Sequence, residues 1–225
     1  GAHHLAATKA IDGCYNAKPT EAAFHIRDTF YHAHFVHSHI AHFYALGGPD
    51  FVVGPAAPAA QRNVLGVVGA VGLELGGAVL KARADAQKVQ AIIAGKPTHP
   101  LLGVPGGVSK AVSNAEAKEI QDISEGLVAF GQKSLEVFHD LVLSNKEYVD
   151  IITNKDLYYH ETYHMGLVND KGQADFHDGK VKIIDQEGKQ VDLYDSFDYL
   201  DHISEAVEPW SYEKFPYLKK YGYKG

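Results

Sequence analysis

His160, Glu161 and His164 spell H-E-x-x-H inside the stretch YYHETYHMGLV. On a helix this pattern sets two imidazoles on one face to bind zinc, with the glutamate placed to activate a water. The flanks argue for another conformation. Tyr158, Tyr159 and Tyr163 crowd the motif, which leads directly into alternating residues punctuated by turns. In a strand, positions four apart are separated by roughly 13 Å and cannot share a metal. Gly166 also falls one place too early for the extended metzincin pattern. Aromatic and imidazole side chains packing at an edge are therefore expected, rather than a zinc protease.

A second cluster is denser. His25, His32, His34, His37, His39 and His42 share the stretch from Glu21 to Leu46. His34 with His37, and His39 with His42, have i, i+3 spacing, so either pair could reach a common ligand, but no carboxylate or cysteine joins them on a neighbouring turn. Hydrogen-bonded core positions are the expectation for each, and as a group they predict a buried polar network that needs partners. His25, His32 and His39 form one row, drifting by only about 20° per seven residues. Cys14 sits beside a helix end with nothing around it to activate a thiol. GVPGGVSK lacks the Gly-Lys-Ser/Thr ending of a phosphate loop, and GVVGAVGLELGG lacks both the order and the preceding strand of a dinucleotide fingerprint.

Composition narrows the classes further. The 225 residues are 45% hydrophobic and 22% charged, proportions that fold into a sizeable core. A net charge of −7, with no basic cluster, gives no footprint for nucleic acid or an anionic membrane. Gly, Glu, Lys and His interrupt every candidate for a membrane-spanning run, so an integral membrane protein is not expected. One cysteine excludes an internal disulfide framework and suits a reducing compartment, which makes the cytoplasm the expected location. The chain opens on Gly1 with a helix lacking a start signal and stops in the loop YLKKYGYKG, which reads as an internal piece of a longer polypeptide.

The elements that must position these residues are mostly helical. A short helix is expected at about 2 to 12, then a long one from Glu21, capped by Thr20, to about Leu46, where Gly47-Gly48-Pro49 should end it. Its apolar groups point in nearly all directions, predicting burial on most sides. Residues 58 to 94 suggest a second long helix, loosened near its glycines. Gly66, Gly69 and Gly72 recur every third residue, a pattern suited to close helix approach. Ser113 to Glu116 is a capping box that opens a third helix to about Asn145, continued by a short piece to Ile152. The turns NDKG, HDGK and QEGK then separate short runs of a small antiparallel meander. SFDYLDHISEAV predicts one helical segment, followed by an irregular aromatic tail. The expected class is mainly α, a long-helix bundle with a small peripheral antiparallel β-meander (α+β). Within a single domain over 1–225, helices fill 1–152, the meander about 163–194, and a helix with the tail 195–225.

The segments AHHLAATKAIDG, EAAFHIRDTFYHAHFVHSHIAHFYALGGPDFV, QRNVLGVV, GKPTHPLLGVPGGVSK, TYHMGLV and YDSFDYLDHISEAVEPWSYEKFPYLKKYGY together resemble the large, catalytic subunit of nickel-iron hydrogenases. The match is closest to the cytosolic, methyl-viologen-reducing type that works with heterodisulfide reductase. The resemblance implies reversible heterolytic oxidation of H2 at a nickel-iron centre whose iron carries carbonyl and cyanide ligands. The family's four cysteine ligands lie outside residues 1–225, so this segment alone is expected to be inactive, with no catalytic residue and no metal ligand of its own. It implies a surrounding shell made of His3, Arg27, His37, Ser38 and His39. Ser38 stands where the membrane-bound uptake branch carries an aspartate, and for Arg27 a structural ion pair is the preferred role. Implied partners are a small subunit with iron-sulfur clusters, an electron-transfer subunit, and a heterodisulfide reductase or diaphorase module with possible FAD. An NAD-linked hydrogenase and a metal-free scaffold, like the quinone-site subunit of respiratory complex I, are the competing readings.

Overall fold

A computed structural model describes residues 1–223, which divide into two compact units, one from Gly1 to Leu157 and one from Tyr158 onward. The class is the expected one: long helices with small antiparallel sheets.

Helix α1 (Ala2–Tyr15) closes on Asn16, whose left-handed backbone lets the chain leave the helix. α2 (Glu21–Ala41) starts at Thr20, whose side chain accepts from the Ala23 amide. Its buried positions are Ala23, Arg27, Phe30, Ala33 and Ile40, a single stripe rather than burial on most sides. Gly47-Gly48-Pro49 does not end the helical path. Residues His42–Gly47 continue it as a π-helical segment and α3 (Gly48–Val52) follows at once. Proline is compatible with the first turn of a helix, where its missing N–H is not needed, so it starts α3 instead of breaking α2.

The second predicted helix is two helices with a later start. Residues 58–63 are turns, Asn63 caps α4 (Val64–Val71), and Gly72, at φ +89, separates it from α5 (Leu73–Ala94). The glycine spacing does not serve helix packing. A Cβ at Gly66 would overlap the carbonyl of Gln61 in the preceding loop, while Gly69 and Gly72 face open space. A tight hairpin of β1 (Gly103–Val104) and β2 (Gly107–Val108) leads to α6 (Asn114–Phe138), which opens on the predicted reciprocal bonds between Ser113 and Glu116. α6 passes into a π-helical segment at His139–Leu143. Asn145, the expected end of that helix, caps α7 (Lys146–Ile152), the short continuation expected to Ile152, and α8 (Lys155–Tyr158) follows.

Helices α2, α5 and α6 form the core in two layers. Phe30, Ala33, Val89, Ile93, Ala94, Leu102 and Ile120 make one; Ile40, Tyr44, Ala82, Ala86 and Leu127 make the other. Each large aliphatic or aromatic side chain in these layers contributes about 1.5–3 kcal/mol through removal from water.

In the second unit β3 (His164–Val168), β4 (Lys180–Ile184) and β5 (Gln190–Tyr194) form the expected meander, in sequence order. Asn169 and Asp185 cap its turns by accepting from backbone amides, with Gly172 and Gly188 supplying positive φ. The next segment differs from expectation. Ser196–Asp198 is a 3₁₀ turn and α9 (Tyr199–His202) is a single turn, after which β6 (Ile203–Val207) pairs antiparallel with β7 (Lys214–Leu218). ISEAV fits both a helical and an alternating pattern, and pairing with KFPYL decides in favour of a strand. The tail therefore holds a hairpin.

Candidate functional site

The first unit carries an open cleft of about 650 Å³, lined by His3 and His4 of α1, His34 and His37 of α2, Gln90 of α5, and His99. Among the described residues no acidic side chain lines it. Two of the five expected site residues, His3 and His37, meet there.

α1 is fixed against the hairpin by one face, a residue per turn. His4 Nε2 accepts from the Gly103 amide at 3.0 Å, Thr8 packs where a Cβ at Gly103 would overlap it, and Asp12 Oδ1 accepts from the Gly106 amide at 2.7 Å. Arg27, only 1% exposed, completes the anchor: it donates to both Asp12 carboxylate oxygens and to the carbonyls of Val104 (2.9 Å) and Gly107 (2.7 Å). Arg27 thus forms the structural ion pair expected of it and does not line the cleft.

His37 is held from α5. Arg83 Nε donates to His37 Nε2 at 3.1 Å, which places the imidazole proton on Nδ1, a buried atom without a partner among the described residues. Burial, then the adjacent Arg83 charge, pushes the His37 pKa down, so the ring is neutral at pH 7. His34 and His4 are also pushed down, chiefly by burial. The cleft therefore gathers several imidazoles, three of them held below their usual pKa, together with Lys96.

The remaining expected residues point elsewhere. His39 is exposed and its Nδ1 engages the Phe35 carbonyl at 2.9 Å; Ser38 lies 3.4 Å from His42 Nδ1. The row of His25, His32 and His39 faces solvent, with His25 near Glu21 and His32 near Asp28, so the six histidines do not form one buried network. Sequence reasoning missed His4, His99, Gln90 and Arg83. Only His4, adjacent to His3, carried a local signal; the others come from α5 and the following loop.

The H-E-x-x-H stretch is not helical. Residues 159–163 have no regular structure and His164 begins β3, so the face needed for zinc does not form. Among the described residues no three His, Cys, Asp or Glu side chains converge to hold a metal ion, and Cys14 is an exposed thiol on α1.

Known proteins resemble this chain in sequence and in fold. Residues 1–64 match the nickel-dependent hydrogenase family. The chain is 44% identical over 223 residues to an F420-non-reducing hydrogenase iron-sulfur subunit of Archaeoglobus profundus, covering 99% of this chain and 46% of that protein. It is 35% identical to an F420-non-reducing hydrogenase vhu subunit of Methanocaldococcus jannaschii, covering 99% of this chain and 51% of that one. The crystal structure of an NAD+-reducing [NiFe]-hydrogenase in the H2-reduced state superposes with a TM-score of 0.88 at 31% identity, covering 98% of this chain and 48% of that one. Over nearly its whole length the chain is thus similar to nickel-dependent hydrogenases. It spans about half the length of the curated relatives it matches.

Proposed function

We propose that this chain is part of the catalytic subunit of a nickel-iron hydrogenase, which oxidises H2 reversibly and heterolytically to protons and electrons. The observation that carries this reading is the extent of the likeness: sequence and fold correspond over nearly the whole chain, at 44% identity in one relative and a TM-score of 0.88 in one solved structure. The proposed assembly delivers electrons to a small subunit with iron-sulfur clusters, and onward to heterodisulfide reductase or ferredoxin through an electron-transfer subunit, with FAD in the reductase. A cytoplasmic location fits this electron path. No helix among the described residues is long and apolar enough to cross a membrane.

The residues of this chain do not by themselves fit a nickel-iron centre carrying cyanide and carbonyl. Such a centre calls for soft thiolate ligands, whereas the sole thiol is exposed and, among the described residues, no ligand cluster converges on it. The part of this chain in the reading is support. Arg27 and Asp12 lock α1 to the hairpin, α1 carries His3 to the cleft, and Arg83 sets the tautomer of His37. Ser38 and His39, on the same helix, lie outside the cleft lining.

A second reading differs only in the electron acceptor. The solved structure with a TM-score of 0.88 is named as NAD+-reducing, and a 35% identical relative in Cupriavidus necator is named NAD-reducing hydrogenase HoxS subunit beta. One preparation tests both: the full-length protein with its partners, purified without oxygen, assayed for nickel and for H2-dependent reduction of methyl viologen, ferredoxin and NAD. Bound nickel with viologen reduction is expected, together with ferredoxin rather than NAD as acceptor. A stable complex with no nickel and no dye reduction overturns the reading in favour of a metal-free scaffold.

A further inference from the structure

The second unit holds a cluster that the hydrogenase reading leaves unused. His202 ends α9, directly before the β6–β7 hairpin, and its ring lies flat on Tyr194 of β5, with centroids 3.9 Å apart and planes within 8°. Its Nδ1 is 2.8 Å from Asp192 Oδ2, also on β5. Asp192 and Tyr194 are two residues apart on one strand, so they share a face and grip one imidazole between them. The His202 carbonyl accepts from the Lys219 amide at 2.9 Å, so the same residue also binds the far end of the hairpin.

We propose that Asp192, Tyr194 and His202 form an acid-sensitive latch that holds the C-terminal hairpin on the three-stranded sheet. Few other contacts among the described residues do so. Lys220 Nζ reaches the Val191 carbonyl at 3.3 Å, and Tyr163 meets Tyr221 edge-on at 5.5 Å. The Glu205–Lys214 ion pair and the Trp210–Phe215 ring contact lie within the hairpin and do nothing to dock it.

The latch depends on the Asp192 charge. The titratable and charged groups facing that carboxylate are His202 from α9 and Lys220 from the tail, while its cross-strand partner on β4 is the apolar Ile183. The His202 hydrogen bond, with smaller help from the Leu193 amide and Lys220, holds the Asp192 pKa below the usual carboxylate value. A carboxyl held lower in the folded state contributes stability above its unfolded pKa, about 3.9, and loses it as pH falls through the folded value. Acid should therefore free the hairpin before it unfolds the helices.

Hydrogen exchange followed by mass spectrometry on the full chain tests this, with protection corrected for the intrinsic pH dependence. Protection of amides 203–218 is expected to hold from pH 7 to about 4 and to be lost progressively below it, while amides of β4 and circular dichroism at 222 nm hold. Asp192→Asn is expected to give the same loss already at pH 7, and Tyr194→Phe, which keeps the stacked ring, to retain protection. The proposal is overturned if hairpin and β4 amides lose protection together. It is equally overturned if Asp192→Asn leaves the hairpin as protected as in the parent at pH 7.

Discussion

Removing Arg27 should unfold the first unit more readily than removing any other single charge. The guanidinium is almost fully buried and has three roles at once: it neutralises Asp12, and it satisfies the carbonyls of Val104 and Gly107. In Arg27→Ala the Asp12 carboxylate loses its buried guanidinium partner and keeps the Gly106 amide as a donor. Losing a charged donor costs about 1.5–3 kcal/mol, and each carbonyl left dry adds about 1 or more. These terms overlap, so the expected cost is the about 3–5 kcal/mol typical of breaking a buried ion pair. At a urea m-value of about 2 kcal/mol/M, the midpoint followed at 222 nm falls by about 2 M.

The pH dependence separates this mechanism from a simple cavity. Burial pushes the Asp12 carboxyl up, but the Arg27 hydrogen bond, the Gly106 amide and the neighbouring charges outweigh it and hold its pKa below the usual value. In the parent, that stability is present above pH about 3.9 and is lost as pH falls through the folded value. In Arg27→Ala burial dominates, Asp12 takes up a proton, and the variant stops losing stability on acidification. The gap between the two proteins should be widest at pH 7 and should close toward pH 3. A loss under about 1 kcal/mol at pH 7, or a gap that does not change with pH, would refute the buried-pair reasoning. The double substitution of Asp12→Leu with Arg27→Met should recover much of the loss, since neither charge is then left unpaired.

Three further substitutions probe local features. Ser113→Ala removes half of the capping box that opens α6 and should cost about 1 kcal/mol by thermal or urea unfolding; the Glu116 carboxyl, pulled down to about 2 by Lys110 first and then Ser113, makes this contribution fully present above the ordinary glutamate pKa and lost as pH falls from there to about 2. Gly72→Ala forces a Cβ into a backbone at φ +89 and ψ 162 and should cost about 1–3 kcal/mol despite the open space around it. Tyr194→Phe removes a buried hydroxyl that has no partner among the described residues, and should leave stability unchanged or slightly raised.

Much of the helical architecture was legible because local chemistry settled it. Thr20 and Ser113 cap the helices they were expected to cap, and the Asn, Asp and Gly turns delimit the meander as their backbone preferences require. The errors fall where two local readings had similar weight. Gly47-Gly48-Pro49 is a stop signal after a helix and also an acceptable first turn of another; tertiary packing of Tyr44 against α6, with its hydroxyl donating to Ser134 Oγ at 2.8 Å, keeps the chain turning. ISEAV could be helix or strand until KFPYL, seven residues beyond its end, supplied the pairing partner.

The site was less legible than the fold, because neighbours in sequence diverge around a helix. His37, Ser38 and His39 are consecutive, yet steps of about 100° send His37 toward the cleft and Arg83 and turn His39 to solvent. His34, one turn before His37, shares the cleft, and so does His3 from another helix. Spacing along α2 could identify the pair His34 and His37, but the cation that fixes the His37 tautomer lies 46 positions away on α5, with no local pattern to announce it. The H-E-x-x-H match fails for the converse reason. Its spacing is right for a helix, but the local chain is irregular up to His164, where a strand begins, so a sequence pattern acquires chemical meaning only through the element that carries it.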